Sequence, residues 1–301
     1  MKLLAKLKMI VPKGLKDWVH KNVIFGEKYC LNSIGLALKE QGLLAINNKL
    51  IEAVPDITNQ YSSFSVTGEY LNAKVRGLHA FQVFLVNQAL ELLSGELGKT
   101  VTIVDIGDSA GTHVQYFKEL NKNKDLRCLS VNLDRQAIDR IRSKGLEAVE
   151  ARAENLASLS IKADIFVSFE MLEHLMDPCN FLKSLAENSD CKAFVITVPY
   201  VKHSRVGFNY IRHNLTGGIN AENTHIFELS PHDYNLLFKH SGWKIIYEKI
   251  YFQYPQRLLF RWLAKKHWQK HDYEGFYGVI LRRDDTWSQL YDSWDKNKGA
   301  K

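Results

Sequence analysis

Apolar positions along the chain change their period near residue 100. Before it they recur at helical spacing. Leu3, Leu4, Leu7, Ile10 and Val11 interleave with Lys2, Lys6 and Lys8, and Leu15, Trp18 and Val19 resume the pattern after Pro12. Residues 29–98 read as helix with polar patches. The stretch 75–93 puts Leu78, Phe81, Phe84, Leu85, Leu90 and Leu93 near one face, and Ser94-Gly95 ends it. From Thr100 short apolar runs take over: VTIVDI (101–106), CLSVNL (128–133), LEAVE (146–150), ADIFVSF (163–169) and AFVITVP (193–199). Helical patterns separate them, in THVQYFKEL, in QAIDRIRSKG with its stop at Gly145, and in FLKSLAENS. This alternation predicts an α/β fold, a parallel sheet with helices on both faces. Such sheets bind ligands beyond the carboxyl ends of their strands, at the switch point.

The first strand ends in Gly107-Asp108-Ser109-Ala110-Gly111 and a helix follows. Glycine there allows a sharp turn and close approach of a ligand, and the helix offers unpaired N–H groups to an anionic group. Asp134 lies 23 residues beyond Gly111, at the tip of the second strand. A carboxylate in that place accepts both hydroxyls of a ribose. The pair predicts a nucleoside-containing cofactor. The dinucleotide fingerprint G-x-G-x-x-G fails at two of its three glycines, and no Gly-Lys-Ser/Thr ending marks a P-loop.

The loop resembles motif I of class I S-adenosylmethionine-dependent methyltransferases, an acidic strand end followed by G-x-G-x-G. Asp105, Gly107 and Gly111 match, and Ser109 stands in place of the central glycine. ADIFVSFEMLEHLMDPCNFLKSL with AFVITVPY resembles the fourth strand, helix and fifth strand of small-molecule members. HIFELSPHDYNLLFKHSGWKIIYEKIY resembles their late helix and strand, and FYGVILRR (276–283) a last strand inserted beside the fifth. The resemblance implies a Rossmann-like, seven-stranded sheet, mostly parallel with its last strand antiparallel. It implies a domain over 75–283, an N-terminal helical, basic extension over 1–74 and a polar tail over 284–301. It also implies S-adenosyl-L-methionine as cofactor. Asp105 and the backbone of Gly107, Asp108, Ser109 and Gly111 would hold its methionine moiety, and Asp134 its ribose. Ala153 and Glu154 would border the adenine, and Ser168 to Glu170 would sit beside the sulfonium.

Glu170-Met171-Leu172-Glu173-His174 follows the fourth strand. In a helical turn Glu170, Glu173 and His174 fall at i, i+3 and i+4, on one face. Two carboxylates and an imidazole suit a hard or borderline divalent ion, and His225 in NTHIF is a candidate fourth ligand. The arrangement is similar to ubiquinone-pathway O-methyltransferases and to small-RNA 2′-O-methyltransferases, which implies Mg2+ or another divalent ion holding acceptor oxygens. Two roles stay open. An ion would orient the acceptor hydroxyl and lower its pKa. Without one, His174 or His225 would act as general base, at an ordinary histidine pKa of ~6.5, while Glu173 and His174 cap the helix and orient the acceptor loop. Arg205, Tyr210 and Arg212, in a segment with Gly217-Gly218, read either as contacts to an anionic or sugar acceptor or as residues of an ordinary surface loop.

Composition narrows the class without choosing the chemistry. The 301 residues are 46% hydrophobic and 24% charged, which argues against global disorder, a collagen-like chain and a multi-span membrane protein. Four scattered cysteines contain no CxxC pair, so neither a zinc knuckle nor a disulfide framework is expected, and a reducing, cytoplasmic setting is the default. The net charge of +7 divides unevenly: residues 1–28 and 241–301 carry +5 each, and 29–240 carry −3. The predicted cofactor loop lies in the acidic part. The basic N-terminus therefore reads either as a helix packed on its own domain or as one lying on an anionic membrane surface. Nucleic acid is the less favoured partner, and the oligomeric state is not legible. The expected activity is O-methylation of a hydroxyl on a sugar or glycan, a lipid-linked precursor or another small-molecule acceptor. An RNA methyltransferase and an inactive methyltransferase-fold scaffold are the alternatives.

Overall fold

The computed structural model describes residues 27–61, 64–159, 161–207, 224–259 and 261–291. The amphipathic stretch expected over Leu3–Val19 lies outside them, as do Tyr210 and Arg212. Among the described residues three helices precede the sheet: α1 (Glu27–Glu40), α2 (Leu44–Ala53) and α3 (Glu69–Leu92). The alternation then runs β1 (Thr100–Ile106), α4 (Thr112–Leu120), β2 (Asp125–Asn132), α5 (Arg135–Ser143), β3 (Glu147–Glu150), β4 (Ile165–Phe169), α6 (Pro178–Asn188) and β5 (Ala193–Pro199). A short hairpin of β6 (Arg205–Val206) and β7 (Phe227–Glu228) follows. Then come α7 (Pro231–His240), β8 (Trp243–Phe252), α8 (Arg261–His271) and β9 (Gly275–Arg283).

The seven-stranded sheet has the order β3-β2-β1-β4-β5-β9-β8. β1 to β5 pair in parallel, and β9 lies antiparallel between β5 and β8. β1, β4 and β5 are bounded within two residues of the apolar runs that predict them. Their fully covered branched residues explain this, since a strand buried on both faces needs no alternation. β2 begins three residues earlier than predicted and ends at Asn132, so Asp134 falls in the turn. Asp177 and Ser230 cap α6 and α7, each followed by a proline that suits the first helical position.

One apolar cluster gathers α1 to α4 and α8 on one face, and a second gathers α6 and α7 on the other. The boundary expected at 74/75 falls inside α3. Leu78, Phe81 and Leu85 share the first cluster with Ile34 and Leu38 of α1 and Leu50 of α2. The N-terminal helices of the described chain therefore complete the sheet's covering layer.

Candidate active site

β1 to β4 run parallel, and the strand order reverses between β1 and β4. Their following loops leave the same carboxyl edge, the edge at which sheets of this order take ligands. Gly107 and Gly111 have φ of +98° and +72°. A Cβ on Gly111 would lie 2.6 Å from Leu146 Cδ1, and one on Gly107 3.2 Å from Met171 Cγ. Both positions therefore require glycine. Ser109 does not, because among the described non-glycine residues Glu170 alone has a positive φ. The departure from the glycine pattern is thus conformationally neutral.

The side chain of Asp108 turns inward, which leaves only its backbone for a ligand. It is buried, and its carboxylate accepts from Gly111 N (2.9 Å), Ala110 N (3.2 Å) and Ser130 Oγ (2.8 Å). The carboxylate clasps the loop from within. Asn132 ties the same loop to the end of β2. Its Nδ2 donates to Asp108 O (3.0 Å), and its Oδ1 accepts from Asp134 N (2.7 Å). Asp134 caps α5, accepting from Gln136 N at 2.9 Å. It still lies at the carboxyl edge beside the loop. Ala153 and Glu154 open a 3-10 turn just after β3.

Beneath the loop runs a buried polar relay. Asp105 Oδ2 lies 3.1 Å from His113 Nδ1, His113 Nε2 lies 3.0 Å from Gln82 Oε1, and Gln82 Nε2 donates to Thr197 Oγ1 at 3.1 Å. Gln82 presents its carbonyl to the ring, so His113 Nε2 carries a proton, and one further proton is shared between Nδ1 and Asp105. Burial, then the neighbouring Asp108, pushes Asp105 up to about 6. Burial alone would lower His113, but the bond and charge of Asp105 raise it.

Glu170 is bent out of helical geometry by its φ of +50°. Only Leu172–His174 forms a turn, of 3-10 type. The expected common face of Glu170, Glu173 and His174 is therefore absent. Glu170 is displaced from the ion-ligand set, because a left-handed residue reverses the direction of the side chain. Burial pushes its carboxyl up to about 8, with Thr197 and Lys74 pulling the other way. Ser168 Oγ and Glu170 Oε1 are buried without a hydrogen-bond partner among the described residues. They are polar atoms a bound ligand would satisfy. Tyr61 reaches this point from the N-terminal segment. Burial, then the charge of Glu170, raises its hydroxyl pKa.

Glu173, His174 and His225 each offer one donor atom, all within 4.8 Å of one another. Glu173 is fully buried, and neither carboxylate oxygen has a hydrogen-bond partner among the described residues. Burial, then the charge of Glu170, holds it well above the ordinary carboxylate range. His174 Nδ1 meets Thr224 O at 2.9 Å and His225 Nδ1 meets Glu228 Oε1 at 2.8 Å, so both Nδ1 atoms donate. Each ring then has its lone pair on Nε2. The chain after residue 224 is held against the turn by Ile226 N donating to Glu173 O (2.7 Å).

Glu228 was not legible as a site residue. Buried, it also receives the Tyr273 hydroxyl and the Arg205 guanidinium. Burial alone would raise it, but His225, Tyr273 and Arg205 together hold it below the ordinary range. Tyr273 stacks on His225 with ring centroids 5.7 Å apart. Beside them opens a cleft of about 360 Å³ whose walls include Tyr200, His203, Arg205, Gln269, Asp272 and Tyr273. Its walls carry hydroxyls, an amide and charges of both signs.

A family model described as a methyltransferase domain matches residues 79–248. Among solved structures, the chain is similar to a Galdieria sulphuraria protein assigned as a sarcosine dimethylglycine methyltransferase. Identity is 13%, the match covers 72% of this chain and 88% of that one, and the TM-score is 0.52. It is also similar to Burkholderia thailandensis 1,6-didemethyltoxoflavin-N1-methyltransferase, whose structure holds S-adenosylhomocysteine. There identity is 15%, coverage is 67% of this chain and 79% of that one, and the TM-score is 0.46. At these identities the likeness is one of fold. No curated protein matches the sequence.

Proposed function

The chain belongs to the methyltransferase-domain family, and from that premise we propose that it moves a methyl group from S-adenosylmethionine to a hydroxyl oxygen of a small-molecule, glycan or lipid-linked acceptor. The observation that carries this reading is Glu173, a buried carboxylate with both oxygens unpartnered, facing two imidazoles beside a polar cleft. Such a carboxylate is costly alone and favourable beside a cation.

The cofactor supplies an electrophilic methyl on a sulfonium. Gly107 and Gly111 let the loop turn tightly at the strand end so that its backbone meets the methionine end, Asp134 offers a carboxylate to its ribose, and Ala153 and Glu154 flank its base. Ser168 and Glu170 present their unpartnered oxygens at the reacting end. Glu173, His174 and His225 would hold a divalent ion, being one carboxylate and two imidazoles whose donor atoms cluster within 4.8 Å of one another. Such an ion lowers the pKa of a hydroxyl bound to it. Glu228 and Tyr273 keep the His225 lone pair on Nε2, and Tyr61 and Met171 help close the site from water. Most of the rate then comes from positioning.

Calorimetric titration tests the reading in two stages. S-adenosylmethionine should bind the wild type and Glu173→Gln alike. Mn2+ should bind the wild type only. Absence of cofactor binding would refute methyl transfer. Absence of Mn2+ binding would remove the ion and leave His225 as general base.

A further inference from the structure

The transfer reaction leaves the outer face of α8 without a role. From Lys249 to His271 the sequence holds six Lys or Arg and no Asp or Glu. Arg257, Leu258, Leu259, Arg261, Trp262, Lys266 and Lys270 are all exposed. Leu259 is 78% exposed and Trp262 53%. Lys266 Nζ lies 5.4 Å from the centroid of the Trp262 ring. The inner face is fixed. Ala264 and Trp268 are buried in the core, and Trp268 Nε1 donates to Ser33 Oγ at 3.4 Å. Leu258 and Leu259 in the turn before α8 and Trp262 in its first turn thus face outward among Arg257, Arg261, Lys266 and Lys270.

We infer that this face docks the protein on an anionic lipid bilayer. Leu and Trp enter the boundary between head groups and acyl chains, while Lys and Arg meet the lipid phosphates. Charge complementarity selects this occupant. A second copy related by a two-fold axis would bring the same cations face to face with no carboxylate between them. Tyr29 of α1 packs edge-on against His267 of α8, with centroids 5.8 Å apart. The far end of α8 leads into the cleft through Gln269, Asp272 and Tyr273. Eleven residues at 1.5 Å each separate the two ends by about 16 Å. On the hydroxyl-methylation reading above, an acceptor anchored in that bilayer presents its head group to the cleft.

The full chain should co-sediment with vesicles of phosphatidylcholine containing about 30% phosphatidylglycerol. Affinity for phosphatidylcholine alone should be at least roughly tenfold lower, and ~0.5 M salt should release the protein. The double variant Leu259→Asp/Trp262→Ser should lose roughly tenfold or more in vesicle affinity, with S-adenosylmethionine affinity and thermal midpoint unchanged. Failure of the wild type to bind, or equal binding by the variant, overturns the inference. So does a dimer in solution that the variant abolishes, which would assign the face to a second copy. Loss of cofactor binding with vesicle binding intact would instead count against the methyl-transfer reading alone.

Discussion

His225 presents Nδ1 to Glu228 Oε1 at 2.8 Å, and this contact leaves the ring's lone pair on Nε2. A carboxylate behind an imidazole fixes its tautomer and raises its basicity as a ligand. Glu228→Gln keeps an oxygen there but removes the charge. Mn2+ affinity should fall by about 10–100-fold, with S-adenosylmethionine affinity unchanged. A variant that binds Mn2+ as tightly as the wild type would show that Glu228 is only a fold contact for Arg205 and Tyr273.

The loop glycines should divide sharply from Ser109. Gly111→Ala forces a side chain into left-handed backbone, costing about 1–2 kcal/mol, and presses on Leu146. Stability and cofactor affinity should both fall. Ser109→Gly should instead lose at most about 1 kcal/mol, through added freedom of the unfolded chain, with no gain in affinity. Urea unfolding and calorimetry of both variants check this. Tighter cofactor binding by Ser109→Gly would mean that the serine obstructs the loop.

The Asp105–His113 pair makes the ligand-free protein weaker as pH rises. Asp105 keeps its proton to about 6 in the folded state, against about 3.9 unfolded. His113 keeps its own beyond its ordinary value. The folded state therefore holds an extra proton on Asp105 between about pH 4 and 6, so that stabilisation is lost across this window, and the His113 share is lost at higher pH, above the ordinary histidine value. The Asp105 share alone is about 2–3 kcal/mol. Relative to Asp105→Asn, the wild type should lose stability between pH 5 and pH 7.5 in urea titrations. A relative gain over that range contradicts the shared proton.

Much of the sheet was legible because its strands are covered on both faces, so each appears as an unbroken apolar run. AFVITVP matches β5 to the residue. The antiparallel place of β9 beside β5 followed from resemblance. The site was legible only where local rules decide it, as at Gly107 and Gly111. The helical face of Glu170, Glu173 and His174 failed because a left-handed residue is set by tertiary contacts that spacing does not encode. Gln82 was hidden inside an apolar pattern on α3, where periodicity reads polar residues as outward. Glu228 and Tyr273 are 45 residues apart and meet only through the folded chain. No sequence signal joins them.

The roles of Asp134 separate by choice of substitution. Its carboxylate caps α5, so Asp134→Ala confounds two losses: a cap worth about 1 kcal/mol and any contact to the ribose. Serine caps nearly as well as aspartate but is neutral and too short to accept both hydroxyls. Asp134→Ser should therefore melt close to the wild type while binding S-adenosylmethionine about tenfold more weakly, the worth of one hydrogen bond to a charged group. Asn132→Ala, by contrast, releases both Asp108 O and Asp134 N. It should lower stability and affinity together, because the loop itself is freed. If Asp134→Ser binds the cofactor unchanged, Asp134 is a helix cap alone.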